Sequence, residues 1–112
     1  MFSKETDKLV DELVRAEYEN CVKQYGEKYE NVHKAFCVLI EEVLEACDEV
    51  SWIKENIIPF LLFTVNDEDP ATRKIRTKKL LAEYSKTARN AIKELAQVCA
   101  VCEKFEATIS KN

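Results

Sequence analysis

A row of carboxylates marks one predicted helix in the first half of the chain. Glu42, Glu45 and Glu49 follow one another at helical spacing, which places successive Cβ atoms about 5–6 Å apart. Glu41 and Asp48 form a second such row with Glu45, which makes five acids within nine residues, and no Lys or Arg interrupts residues 35–53. A divalent cation bound by several carboxylates would relieve their repulsion. The row is therefore a candidate site for Mg²⁺ or Mn²⁺, and the alternative is a solvated acidic face balanced by lysines elsewhere.

A second acidic position lies on the long helix predicted near the end of the chain. Glu94 projects between Val98 and Val101, inside an apolar arc, and a Glu there is uncommon unless it is paired or coordinated. Gln97 follows one turn later. The alternative is a buried Glu94 that accepts from the Asn90 amide or pairs with a Lys across the bundle.

The chemistry that such a metal site would support involves phosphate. Mg²⁺ in proteins usually takes one or two carboxylates, waters and substrate phosphate oxygens. The expected ligand is therefore a nucleotide or another phosphate ester, and bound Mg²⁺ can activate water for attack on phosphorus. Lys93 or Lys104 could neutralise phosphate charge. With one Gly in the chain, Gly-rich phosphate-binding loops are excluded.

The composition predicts an all-α domain, because one Gly and two Pro leave few turn formers for a β-rich fold. The first helix is expected from Ser3 to Gly26, and the second from about Asn31 through Trp52 towards Pro59. The third is expected from about Ala71 to Ile109, with Asp69 as its cap. The predicted core stripes are Phe36, Leu39, Ile40, Val43, Cys47 and Val50 on the second helix, and Leu80, Tyr84, Ala91, Leu95, Val98, Cys102, Phe105 and Ile109 on the third.

Residues 1–112 are expected to form a single domain, a small helical bundle of three main helices. The third helix is long for so small a core, and the apolar segment IIPFLLF (57–63) needs cover. We therefore expect a homo-oligomer, a dimer or tetramer, that completes a four-helix-type bundle. The net charge of −4 argues against nucleic-acid binding. Without a signal peptide or membrane span, we expect a cytoplasmic protein with no membrane partner.

The remaining metal-ligand residue types favour structural roles. The five Cys are odd in number and follow helical patterns, so reduced and mostly buried thiols are expected. Cys99 and Cys102 have CxxC spacing but lie deep in a helical run. His33 and Cys37 form an i, i+4 pair that could supply half of a zinc site, and two further ligands would be needed.

Two stretches of the chain resemble a known family. YGEKYENVHKAFCVLIEEVLEACDEV (25–50) and AIKELAQVCAVCEKF (91–105) resemble the MazG-like all-α nucleoside triphosphate pyrophosphohydrolase superfamily, in particular its small phage- or prophage-type members. Family members pair an ExxE motif with a later ExxD motif to bind Mg²⁺ ions, and they cleave a nucleoside triphosphate to the monophosphate and pyrophosphate. They assemble as dimers or tetramers of bundled helices.

The resemblance implies roles for particular residues. Glu42 and Glu45 match the ExxE and would act as metal ligands and catalytic carboxylates. Glu94 matches the first acid of the ExxD, and Gln97 stands in the place of its Asp. An amide oxygen binds Mg²⁺ more weakly than a carboxylate does, and Asp48 or Glu49 could compensate. The alternative function is a non-catalytic helical homo-oligomer that binds a nucleotide or a protein partner.

Overall fold

The computed structural model describes residues 2–66 and 69–110, and these residues form an all-α fold. The helices are α1 (Lys4–Tyr25), α2 (Val32–Trp52), α3 (Ile58–Val65) and α4 (Pro70–Ser110). A π-helical turn, Ile53–Ile57, joins α2 directly to α3. The chain therefore consists of three long helical segments, as the sequence predicts. None of the described helices combines the length and the apolar character needed to cross a membrane.

Local capping explains where the helices begin and end. The Ser3 hydroxyl accepts a hydrogen bond from the Thr6 N–H, and the Asn31 side chain accepts one from the Lys34 N–H. Gly26 ends α1 with a φ of 89°, a conformation that favours glycine. The carboxylate of Asp69 accepts from the Ala71 N–H at the start of α4. These boundaries confirm the sequence prediction, except that residues 67 and 68 of the predicted break lie outside the described part.

The long helix α4 organises the molecule. It runs unbroken for 41 residues, which corresponds to about 60 Å of helix. The molecule accordingly measures 64 × 30 × 26 Å. The second half of α4 packs against both α1 and α2, while its first half is covered by α3. The two ends of the molecule thus differ, and only the end built by α1, α2 and the second half of α4 is a three-helix bundle.

The predicted core stripe of α2 is wrong. Phe36, Ile40, Val43, Cys47 and Val50 are exposed in this chain, and Leu39 is half-buried. The buried positions are Ala35 and Ala46. Small residues on this face let α2 approach α4 closely. Hydrophobicity alone pointed to the wrong face of the helix.

The predicted stripe of α4 is partly correct. Ala91 and Phe105 are buried, and Leu80, Tyr84 and Val98 are half-buried, whereas Leu95, Cys102 and Ile109 are exposed. The additional buried positions Ala96 and Ala100 lie on the opposite side, because α4 packs on two helices. The edge of the Phe105 ring meets Phe36 with ring centroids 4.8 Å apart.

The prediction of mostly buried thiols is also wrong. Cys37, Cys47, Cys99 and Cys102 are exposed, Cys21 is half-buried, and all five are free. The same change of face accounts for the exposure of Cys37 and Cys47, since both lie on the side of α2 that carries Phe36 and Ile40.

Candidate metal centre

Three carboxylates meet where α2 packs on α4. Each of Glu42, Glu45 and Glu94 offers one oxygen, and these oxygens all lie within 4.8 Å of one another. In the part of the chain that the structure describes, no other group of three His, Cys, Asp or Glu side chains comes this close. The fold therefore brings together the two acids of the ExxE and the first acid of the later motif, across 49 residues of sequence.

The placement of Glu42 follows from the face of α2 that packs against α4. A helical projection puts Glu42 only about 20° from the buried Ala35, and Glu42 and Glu94 are half-buried while Glu45 is exposed. The site is therefore open at Glu45 and partly enclosed at the other two carboxylates.

The cluster is electrostatically uncompensated. One buried oxygen of Glu42 and one of Glu94 have no hydrogen-bond partner. Burial raises the pKa of Glu42, and the neighbouring charges of Glu45, Glu94 and Glu41 raise it further. Within residues 2–66 and 69–110, none of the three carboxylates forms an ion pair with a Lys, Arg or His nitrogen. Orphaned oxygens beside like charges are what a hard divalent cation would satisfy, so the donor set fits Mg²⁺.

A cavity of about 500 Å³ opens from Glu42 towards the connection between α1 and α2. Its cationic lining comes from Lys28, Lys34 and Lys104, and its aromatic lining from Tyr25 and Tyr29. Lys104 is only 2% exposed. Its Nζ lies 4.2 Å from the centroid of the Tyr29 ring and 5.9 Å from that of Tyr25. Cations and stacking surfaces therefore line the space directly beside the carboxylates.

The Tyr29 wall of the cavity is tied to α4 by hydrogen bonds. The Tyr29 N–H donates to the Thr108 hydroxyl at 2.9 Å, and that hydroxyl donates to the Lys104 carbonyl at 2.9 Å. Burial, followed by the nearby Cys21, Glu42 and Cys102, raises the pKa of Tyr29 to about 12. Tyr29 therefore remains a neutral phenol at physiological pH. Sequence reasoning assigned no role to Tyr29 or Lys34, although both belong to the segment that carries the family resemblance.

The other predicted site residues divide between this region and the rest of the surface. Gln97 is exposed and lines a second cavity of about 220 Å³, which it shares with Glu42. Glu49 and Asp48 instead line a separate cavity with Trp52 and Thr87. Glu49 is thus not part of the three-carboxylate cluster, and the idea that it or Asp48 compensates for Gln97 is not supported. They lie about one turn beyond Glu45, nearer the π-helical turn.

The remaining candidates lie elsewhere on the surface. Lys93 is exposed on α4. His33 Nε2 and Cys37 Sγ are 3.7 Å apart, and the described residues supply no third ligand to them. The pKa of Cys102 is raised by burial and by Cys99 and Glu103, which disfavours the reactive thiolate.

No protein-family model matches the chain, and no curated protein or solved structure matches it either.

Proposed function

We propose that the protein is a Mg²⁺-dependent nucleotide pyrophosphohydrolase that converts a nucleoside triphosphate to the monophosphate and pyrophosphate. The observation that carries the proposal is the meeting of Glu42, Glu45 and Glu94, with their facing oxygens within 4.8 Å and two buried oxygens unpartnered. The resemblance of residues 25–50 and 91–105 to the MazG-like superfamily supports it. Such an enzyme would act in the cytoplasm.

The carboxylates would hold the metal and the adjacent cavity would hold the substrate. Glu42, Glu45 and Glu94 would be the ligands for Mg²⁺, or for Mn²⁺ in its place. A bound ion would withdraw charge from phosphoryl oxygens and lower the pKa of a coordinated water. Lys104 would neutralise phosphate charge from inside the cavity, which Lys28 and Lys34 also line.

The remaining proposed roles, base stacking and proton acceptance, are assigned to Tyr25, Tyr29 and Glu45. Tyr25 and Tyr29 offer faces on which a base can stack. Hydrolysis joins a water oxygen to the α-phosphorus and breaks the bond from that phosphorus to the oxygen bridging to the β-phosphorus, so pyrophosphate leaves. Glu45, the most exposed carboxylate of the three, would accept the proton from that water.

The test is a turnover assay with a panel of ribo- and deoxyribonucleoside triphosphates. We expect release of pyrophosphate with Mg²⁺ or Mn²⁺ and none in EDTA, since three carboxylates without a cation would repel a triphosphate. Pyrophosphate is measured directly, so that contaminating phosphatases, which release orthophosphate, are distinguished. Absence of pyrophosphate with every nucleotide and both metals would refute the enzymatic proposal.

A second candidate function is supported by Gln97. It lines the cavity beside Glu42, where a neutral amide supplies a weaker ligand than a carboxylate would. A site with three acids and an amide could bind a metal–nucleotide complex without turning it over. Calorimetry with Mg²⁺ and a non-hydrolysable triphosphate distinguishes the two: tight binding without turnover favours this candidate, and the absence of any binding points to a protein-partner role.

The variant Gln97→Asp tests how the side chain at this position affects Mg²⁺ binding. A fourth carboxylate should strengthen Mg²⁺ binding by about tenfold or more, since an ionised oxygen replaces a neutral one. We expect faster pyrophosphate release than from the wild type, or its appearance if the wild type has none. The matched control is Gln24→Asp, which adds the same charge on α1 at the edge of the same cavity. Equal effects of both variants would indicate a general charge effect and contradict the assignment of Gln97.

We further infer that two copies together complete a four-helix-type bundle. The support is the apolar surface left open on α2, where Phe36 is 52% exposed and Ile40 and Leu44 are exposed to a similar degree. Monomeric proteins rarely leave so many large apolar side chains in contact with water.

A further inference from the structure

The end of the molecule away from the carboxylates carries an apolar ridge. The ridge is formed by α3, and its members, Ile58, Phe60, Leu61, Leu62, Phe63 and Val65, are all exposed. Within α3 only Thr64 is buried, with its hydroxyl donating to the Phe60 carbonyl. Because α3 is short, apolar and packed against one neighbouring helix, most of its surface is exposed to solvent.

Basic side chains border this ridge on both flanks. On one side, Phe60 and Phe63 share a groove of about 560 Å³ with Lys79. On the other side, Leu61 and Val65 share a groove of about 460 Å³ with Lys74 and Lys78. Residues 58–89 hold seven Lys or Arg, all within 73–89, and four acids, three of which are at positions 67–69. The ridge together with the first half of α4, the basic hairpin, therefore combines an apolar surface with a net positive charge.

The opposite end of the molecule also exposes an apolar surface, and the charged residues of the helices that form it are mainly acidic. Phe36, Ile40 and Val43 on α2 and Leu95 on α4 are exposed, and the Phe36–Phe105 contact shows that this side of α2 borders α4. The α2 acids Glu41 and Asp48 lie beyond Leu44 on its outer margin, about 120–140° from Phe36 in projection. Residues 32–52 and 90–110, the acidic face, contain eight acids and three Lys.

The geometry points to one arrangement of two copies: an antiparallel dimer in which the basic hairpin of each copy covers the acidic face of the other. Charge selects it, since pairing acidic face with acidic face, or hairpin with hairpin, would bring like charges together. The lengths of the two contacting helices also match, because residues 70–89 and α2 each span about 30 Å. Each half of such a dimer is a four-helix layer, and a twofold axis makes the two contacts equivalent.

This inference specifies the assembly and does not depend on catalysis. Its test variants change no residue of the three-carboxylate cluster, so loss of the dimer and loss of pyrophosphate release are separately observable. An anionic lipid surface is the other occupant that an apolar ridge with basic flanks fits. A lipid surface would bind the basic hairpin and leave the acidic face uncovered, whereas the dimer would cover both surfaces.

Reciprocal charge reversal tests the arrangement. One variant carries Lys78→Glu and Lys79→Glu on the hairpin, and the other carries Glu41→Lys and Asp48→Lys on the acidic face. Alone, each would place like charges across both contacts of its homodimer, so we expect its dimer dissociation constant to rise by roughly 100-fold or more. Mixed in equal amounts, the two variants have complementary charges at both contacts, and a heterodimer should form with wild-type affinity.

The measurement is sedimentation velocity over a concentration series, with one of the two variants fluorescently labelled in the mixture. Lys4→Glu with Lys8→Glu on α1 is the control and should dimerise as the wild type does, while circular dichroism checks that every variant folds. A monomeric wild type would overturn the proposal, and so would dimeric variants or a mixture that stays monomeric. A monomeric wild type that sediments with phosphatidylserine vesicles would assign the hairpin to a lipid surface instead.

Discussion

Glu94→Gln is expected to abolish tight binding of Mg²⁺ and Mn²⁺ and, with it, pyrophosphate release. Glu94 is the carboxylate that α4 contributes to the cluster, and one of its buried oxygens has no other partner. Loss of an outer-shell partner alone typically costs about 10–100-fold in metal affinity, so removal of a direct ligand should cost more. Glutamine keeps the size of the side chain, and the helix should remain intact.

Titration of Mn²⁺ followed by electron paramagnetic resonance measures this loss directly, because free and bound Mn²⁺ give different signals. The matched control is Glu103→Gln, which makes the same change at an exposed position of the same helix, outside the cluster. The control should bind Mn²⁺ as the wild type does. Wild-type affinity in Glu94→Gln would show that the three carboxylates do not share an ion.

Glu42→Gln should have opposite effects on stability with and without metal. The pKa of Glu42 is raised in the folded protein above its ordinary value of 4.5, first by burial and then by Glu45, Glu94 and Glu41. The folded state therefore holds this proton more tightly than the unfolded chain does. Its stabilising contribution is complete below about pH 4.5 and disappears as the pH rises through the raised pKa. At neutral pH without metal, the ionised carboxylate is a net cost.

In EDTA at pH 7, Glu42→Gln should therefore raise Tm by about 2–5 °C, a modest figure because the carboxylate is only partly buried. At pH 4 the difference should shrink. With Mg²⁺ at a hundredfold excess over Kd, the wild type should gain about 2.7 kcal/mol, roughly 10 °C for a domain of this size, and the variant far less.

Differential scanning calorimetry across pH, in EDTA and in Mg²⁺, measures both effects. Glu41→Gln is the control on the same helix: it removes one of the smaller causes of the pKa shift and no member of the cluster, so its metal response should be that of the wild type. A Glu42→Gln variant that unfolds at a lower temperature than the wild type in EDTA at pH 7 would contradict the assignment of an uncompensated carboxylate.

Local chemistry predicted the helices well. Ser3, Asn31 and Asp69 cap the helices that their side chains indicated, and Gly26 ends α1 through its positive φ. Such signals act within a few residues and need no knowledge of the partner helix. The π-helical turn at 53–57 had no comparable signal, because Pro59 marked only the position towards which the second helix was expected to run.

Local sequence signals of this kind could not predict which face of each helix is buried. A stripe of large apolar residues normally identifies the packed face, but Phe36, Ile40 and Val43 remain outside and Ala35 and Ala46 lie inside. Predicting the buried face from the hydrophobic pattern assumes that the largest apolar face of a helix packs within its own chain. That assumption fails here, because small side chains fill the packed face of α2 and the large apolar ones remain exposed.

The carboxylate cluster was predictable in part. Spacing identified Glu42 and Glu45, and an acid within an apolar arc identified Glu94. Glu49 satisfied the same spacing rule and lies by another cavity. The contact of the buried Lys104 with Tyr29 joins residues that are 75 positions apart in sequence and have no periodic relation to each other. Contacts of this kind follow from how α4 docks against the start of α2.

The hydrogen bond from Tyr29 to Thr108 also bears on the order of folding. It joins residues 79 positions apart, whereas the hydrogen bonds within each helix are local. Local structure forms early, and contacts between distant residues wait until the intervening chain has been ordered. The wall of the cavity should therefore be completed late, when the last turns of α4 dock. The carboxylates on α2 and the Lys104 ammonium on α4 would come together only at that final step.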